Sequence, residues 1–303
     1  MHVTGIGQCS WDYLSVVDSY PQADTKKEVI RHDEQGGGPV ATALVTLSKL
    51  GVPCSFIGIV GDDEIGDKIT RSLGQENIDL SRLIKRPDSS SQVAHIIIGE
   101  NNSTRTIFWK RPSGTPIDPD EIDPKQFEVT GFLLLDGLMK DASLRAARIA
   151  RDRGIPVMLD AGKVREGMIE LAKVSDYIVG SEEFARDIGW NDNPETFKQH
   201  ILNLGFGITT ITLGNRGSIT FADNRILEIP AFTVKAIDTT GAGDVFHGGY
   251  IFGLLSGWNI KDIVTFASAV AAIKCESLGG RSGIPDLDQA YKFLRNRNYD
   301  VPF

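Results

Sequence analysis

The segment Asp238-Thr239-Thr240-Gly241-Ala242-Gly243-Asp244 combines small residues, hydroxyls and two carboxylates. It follows an extended run at 231–237 and opens a helix whose apolar positions include Val245 and Tyr250. Small residues let the backbone approach a ligand, and N–H groups at a helix start bind anions. Such a turn suits a phosphoryl group in transfer, whose negative charge must be held by fixed dipoles. Asp244 would stand in the first helical turn, able to take a proton from an attacking hydroxyl. The same string also reads as an N-cap turn with acidic decoration, and its spacing alone leaves both readings open.

Other residues carry weaker signals. His247 lies three positions after Asp244 on the same helical face. Packing or support of the turn is its expected role, rather than a His-Asp dyad. Asp160 and Lys163 stand just past a central strand, where open parallel sheets collect ligands. They either line nucleotide phosphates or cap the next helix. Lys26, Lys27, Arg31, Arg105, Lys110 and Arg111 gather on extended segments of an otherwise acidic chain. They are solvated strand faces or a cationic rim for a carboxylate, phosphate or sulfonate. Phe108 or Trp109 could stack on a sugar face, and strand alternation sets one of them there. Gly5-Ile6-Gly7-Gln8-Cys9-Ser10 begins like a dinucleotide fingerprint but lacks its third glycine. No GxxxxGK[ST] phosphate loop occurs.

Alternating elements must position these groups. Strands are expected at 2–7, 54–60, 131–135, 155–160, 177–179 and 208–213, with a hairpin at 217–229. Helices are expected from 40 to 50, where Gly51 and Pro53 stop the chain, and near 64–73, 141–153, 181–188, 195–204, 242–255, 260–276 and 286–295. The alternation argues a mainly parallel sheet covered on both faces. Extended pieces at 13–17, 27–32, 93–99 and 104–109 fall outside it. They read as a separate small sheet, with 100–103 turning a hairpin. No linker divides the chain, so a single domain over 1–303 is expected, with a β appendage from about 12–34 and 92–111.

The 303 residues are 41% hydrophobic and carry a formal charge of −8, which disfavours a nucleic-acid partner. Apolar runs are far shorter than the ~20 residues of a membrane span. Cys9, Cys54 and Cys275 are dispersed and odd in number, as expected of reduced thiols in a cytoplasmic protein. No secretory signal is visible at the start of the sequence.

DTTGAGDVFHGG, 238–249, closely resembles the C-terminal signature of the ribokinase/PfkB carbohydrate kinase family. Gly37 and Gly38 with the following helix and Leu50-Gly51 are similar to its first signature, and 58–66 to the stretch that follows. Thr212-Leu213-Gly214-Asn215-Arg216-Gly217 resembles its nucleotide turn. The resemblance covers nearly the whole chain. It implies a ribokinase-like three-layer α/β/α sandwich with a mainly parallel sheet and a small β-sheet lid. It implies ATP-dependent phosphorylation of a sugar or sugar-acid hydroxyl, with Asp244 as base and Gly241, Ala242 and Gly243 as anion hole. Asp12, Gly37, Gly38 and, from the lid, Lys26, Arg105, Trp109 and Lys110 would meet the substrate. Thr212, Gly214, Gly217, Lys163 and Gly180 would meet the nucleotide, and Glu183 would organise water around Mg2+. K+ would sit beside the anion hole on Asp238, Thr240 and the 275–282 loop, with Gly280 and Ser282 contributing. A homodimer through the lid is also implied. A nucleoside kinase of this fold, or a non-catalytic sugar sensor, are the alternatives.

Two positions depart from the family pattern. Ala41 and Gly180 stand where the family has Asn. The glycine-rich motifs and the tail, with GGRSGIPD, look closest to the sulfofructose kinase branch. The lid reads Phe108-Trp109-Lys110-Arg111, and Leu138 follows Asp136-Gly137, without the Asn and Arg expected for a sulfonate grip. That substrate is therefore not transferred. The lid strand is also similar to that of 2-keto-3-deoxygluconate kinases, in keeping with an anionic substrate.

Overall fold

The structure, a computed structural model, describes residues 1–100, 104–299 and 301–302. In chain order the strands are β1 (His2–Ile6), β2 (Ser10–Val17), β3 (Arg31–Gly37), β4 (Cys54–Gly61), β5 (Leu83–Arg86), β6 (Val93–Gly99), β7 (Arg105–Lys110), β8 (Thr130–Leu135), β9 (Val157–Ala161), β10 (Tyr177–Ser181), β11 (Ile208–Thr212), β12 (Ser218–Ala222) and β13 (Arg225–Ile229). The helices are α1 (Pro39–Lys49), α2 (Glu64–Gln75), α3 (Lys140–Asp152), α4 (Met168–Lys173), α5 (Glu182–Asp187), α6 (Pro194–Leu204), α7 (Ala242–Leu255), α8 (Ile260–Lys274) and α9 (Leu287–Arg295).

The main sheet runs β13-β12-β11-β10-β9-β8-β1-β4-β5. It is parallel from β11 to β5, and β12 and β13 close one end antiparallel. Its central strands are apolar on both sides because helices cover both. Phe132 and Leu134 join Val3, Phe56, Met158 and Val179 beneath α1, α2, α7, α8 and α9. Leu133 and Leu135 join Ile57, Leu159 and Ile178 beneath α3, α4, α5 and α6. Helix α7 lies very close to its neighbours. A Cβ on Gly248 would meet Ala43 O at 2.8 Å in α1, and one on Gly249 would meet Ala267 Cα at 2.9 Å in α8.

The second sheet runs β3-β2-β6-β7. Its register sets Gln35, Asp12, Ala94 and Trp109 in one row, with Val16, Ile98 and Arg105 further along the same face. Leu14, Val16, Ala94, Ile96 and Ile98 on this face bury Leu278 of the loop after α8, so this face is the inner one. The outer face carries Tyr13 stacked on His95, with ring centroids 5.2 Å apart, and Phe108 opposite His95.

The structure moves one expected strand. The piece expected at 27–32 forms at Arg31–Gly37, so Gly36 and Gly37 end a strand. Gly37 pairs with Ser10 and Gly36 with Trp11. A Cβ on Gly37 would overlap the Asp12 carboxylate, so only glycine closes this end of the ladder. The strand expected at 13–17 starts earlier, at Ser10. Strand β5, helix α4 and the 3-10 turns Pro119–Glu121 and Pro124–Phe127 were not expected. β6 and β7 pair antiparallel as the expected hairpin requires, while 101–103 of its turn lie outside the described residues.

Candidate active site

The carboxyl ends of β1, β8 and β9 bring Gly7, Asp136 and Asp160 together, and the charges of Asp160 and of Asp12, from the small sheet, are felt at Asp244 at the start of α7. Open α/β sheets bind ligands at this edge. Asp136 accepts the N–H groups of Gln8 at 2.7 Å and Leu138 at 3.0 Å. Burial, the larger effect, outweighs those bonds and raises its carboxyl to about 7.

Gly241 adopts a left-handed φ of 74° and caps α7. A Cβ there would also press on Gly280 Cα at 2.8 Å, so both conformation and space require glycine. The first-turn N–H groups of a helix point back along its axis. Ala242 N–H, also expected to meet the phosphoryl group, is bonded to Thr239 O at 3.2 Å. The N–H groups of Gly241, Gly243 and Asp244 have no protein acceptor among the described residues. Gly243 is exposed, with open space where a side chain would be.

Asp244 follows in that first turn with partial solvent access. Burial and then the nearby Asp160 raise its carboxyl to about 7, with His247 opposing. His247 is buried. Its Nδ1 contacts Gly243 O at 2.6 Å, its Nε2 contacts Val179 O at 3.1 Å, and Asp160 Oδ1 lies 3.5 Å from Nε2. It braces the turn carrying Asp244 against β10 and makes no dyad bond to Asp244. Burial also raises the Asp160 carboxyl, against the pull of His247.

On the lid side, Asp12 is buried, accepts Ser10 Oγ–H at 2.7 Å and has its carboxyl raised by burial. Gly37 abuts it, and Gly38 begins α1 at φ 95°. Arg105 Nη1 donates to Thr239 Oγ1 at 2.5 Å, joining β7 to the turn before α7. Trp109 shares the inner face with Arg105, and Arg111 lies 5.0 Å over its ring. Lys110 is on the outer face with Phe108, so the structure does not bring it to the inner face. Lys26 lies on an exposed irregular segment between β2 and β3.

At the carboxyl ends of β10 and β11, Thr212 Oγ1 donates to Gly180 O at 3.2 Å. Gly214 and Gly217 take φ of 60° and 94°, which turns the chain from β11 into β12. A Cβ on Gly180 would meet Phe184 Cδ1 at 2.6 Å, so an Asn side chain has no room there. Lys163 and Glu183 pair with each other at 2.6 Å, both about half exposed. Such a pair is worth little by itself and leaves both groups available to a ligand.

The residues expected to hold K+ are differently engaged. Lys274, 0% exposed, donates its Nζ–H groups to Asp238 O at 2.9 Å and to Thr240 O. Ser282 Oγ–H is spent on Leu278 O at 2.6 Å, and Gly280 packs under Gly241. The Asp238 carboxylate accepts Thr240 N–H, Thr240 Oγ1–H and Gly279 N–H. The set therefore does not fit a free K+ ion.

The sequence reading missed three site residues. Asp136 had a weak signal, a lone carboxylate directly after a buried apolar strand. Lys274 was visible as a lone lysine directly after the mainly apolar helix run 263–273. Arg281 sits in the 275–282 loop with its guanidinium buried. It donates to Gly37 O at 2.8 Å, Thr42 Oγ1 at 3.3 Å and Ser72 Oγ at 3.5 Å, and its N–H bonds Gln35 Oε1 at 2.7 Å. It ties the lid strand β3 to the loop that packs against Gly241.

A carboxylate at a helix start, on the carboxyl edge of a parallel sheet and beneath a β lid, marks an α/β enzyme that encloses a small ligand. Residues 2–287 match the family described as pfkB family carbohydrate kinase, and the chain belongs to that family. A nucleoside kinase of Methanothermobacter thermautotrophicus is 27% identical, covering 98% of this chain and 97% of that protein. A 5-dehydro-2-deoxygluconokinase of Clostridium perfringens is 29% identical, covering 86% and 83%. The solved ribokinase of Thermotoga maritima superposes with a TM-score of 0.82 at 25% identity, covering 97% and 99%. The fold is thus ribokinase-like, a mainly parallel sheet between helices with a smaller β-sheet lid. The named substrates of these relatives differ, and they single out no branch.

Proposed function

We propose that this chain transfers the γ-phosphoryl group of ATP to a hydroxyl of a small sugar or sugar acid. The observation that carries the reading is Asp244, a carboxyl held near neutrality beside unbonded N–H groups of the α7 turn. The acceptor hydroxyl gives its proton to an Asp244 carboxylate oxygen while its oxygen bonds the γ-phosphorus. The bond from that phosphorus to the β-γ bridging oxygen breaks, and ADP leaves. Gly241 and Gly243 N–H groups face the equatorial oxygens, where charge is held without reorganisation.

Asp12, Gly37 and Gly38 form the wall on which the acceptor rests. Arg105, on the inner lid face, gives that pocket a cation for a carboxylate or phosphate substituent. Thr212, Gly214 and Gly217 form the nucleotide side. No group of three or more His, Cys, Asp or Glu side chains forms a metal cage among the described residues. That fits Mg2+ arriving on the nucleotide phosphates with water, near Glu183 and Lys163. Mg2+ would neutralise phosphate charge. K+ is left out of the reading because Lys274 meets the carbonyls it would use.

An ADP-release screen over ketoses, aldoses, their phosphates, sugar acids and nucleosides tests the proposal. Release with a sugar or sugar acid, abolished in Asp244→Asn, supports it. Turnover confined to nucleosides favours the second reading, which the 27% identical nucleoside kinase supports. No release with any acceptor points to a sensor.

A further inference from the structure

Lysine is rarely found fully buried without a charged partner at bonding distance, because its ammonium must give up water. Lys274 is such a case. It ends α8, where the helix dipole favours a cation. Its Nζ reaches across to the carbonyls of Asp238 and Thr240, two residues apart on the turn that leads into α7. Burial lowers the pKa of the Lys274 ammonium; the nearby Asp238 carboxylate opposes that effect, although its oxygens are spent on Thr240 and Gly279. One amino group thus fixes two peptide planes of the phosphate-facing turn. The carbonyls it engages belong to two of the residues the sequence assigned to K+.

We propose that Lys274 is a tethered monovalent cation: its side chain orders the 238–241 turn and sets positive charge behind the anion hole, so that the protein does not use K+. The charge enters with the fold instead of from solution, and the turn keeps its shape whatever salt is present. Lys274 acts through the turn and is a positioning residue. The inference deepens the kinase reading, but its decisive test does not require turnover.

The test compares melting temperature and calorimetric ATP affinity in KCl, NaCl and tetramethylammonium chloride at matched ionic strength. For the wild-type protein the melting temperatures should coincide and the affinities agree within about twofold. A rise specific to K+ overturns the proposal. Lys274→Ala should melt roughly 5 °C lower in tetramethylammonium chloride, as expected when buried carbonyls lose their donor. K+, but not tetramethylammonium, should restore part of that loss by entering the space. Equal melting of the variant in all three salts overturns the cation assignment and leaves Lys274 a hydrogen-bond donor only. Should the alanine variant fail to fold, the wild-type comparison still decides. ATP affinity that is absent in every salt counts against the kinase reading, while melting temperatures bear on Lys274 alone.

Discussion

Replacing Asp244 with asparagine keeps the shape of the first turn of α7 and removes the carboxylate proposed to accept the proton. Turnover should fall by ~10²–10⁴-fold while melting and nucleotide affinity hold. Wild-type turnover in the purified variant would take the base role away from Asp244. On the proposed reading Asp244 works ionised, and burial, with Asp160 nearby, raises its carboxyl to about 7. kcat/KM should therefore climb as pH rises through about 7 and fall below it, measured as a pH-rate profile on the best acceptor. A profile flat across that range would mean that the titrating base is another group. The turn holding Asp244 was legible because residues 238–244 are contiguous in sequence and in space, while the base role, left open by the spacing, came from the family resemblance. Asp136, Lys274 and Arg281 were not, because each acts on residues supplied from far along the chain, such as Gln8, Asp238 and Gln35. A lone polar residue in an apolar run looks the same in sequence whether it caps, packs or binds.

Strand β7 separates two cations that sequence could only group together. Arg105 reaches the Asp238–Asp244 segment from the inner face, whereas Lys110 faces outward. Arg105→Ala should lower kcat/KM by ~10-fold or more, the size of a lost charge-assisted bond, and Lys110→Ala should stay within ~0.5 kcal/mol. Equal losses would mean that the lid is disturbed as a whole. Gly37→Ala places a methyl group against the Asp12 carboxylate and should raise KM for the acceptor with smaller effect on ATP affinity. An unchanged KM would remove Asp12 and Gly37 from the acceptor wall. The apolar strands of the main sheet were readable because burial on both sides leaves an uninterrupted hydrophobic run. Arg31–Gly37 was misplaced for the opposite reason. Its sequence, RHDEQGG, shows no alternation, since most of this edge strand is solvated and pairing with β2 alone fixes its extent. Strand β5 is a short edge and α4 a single short helix, too brief for periodicity to show.

At the scale of the whole molecule, the outer lid face leaves Phe108 53% exposed beside the stacked Tyr13 and His95. The lid-mediated homodimer suggested by sequence would cover this stripe. Sedimentation should then find a dimer that Phe108→Glu shifts toward monomer, and a wild-type monomer at all concentrations would end the idea. The main body offers no comparable freedom. Gly248 and Gly249 let α7 settle almost backbone to backbone between α1 and α8. A helix held that tightly cannot adjust its tilt to suit a new ligand. Adaptation to a different acceptor must then be written in the rim, on β7, whose side chains are exposed and can be exchanged at small cost in stability. A library confined to the exposed inner positions of β7, Arg105, Ile107 and Trp109, should yield altered acceptor preference with Asp244 undisturbed. One confined to the contact face of α7 should yield mostly unfolded protein.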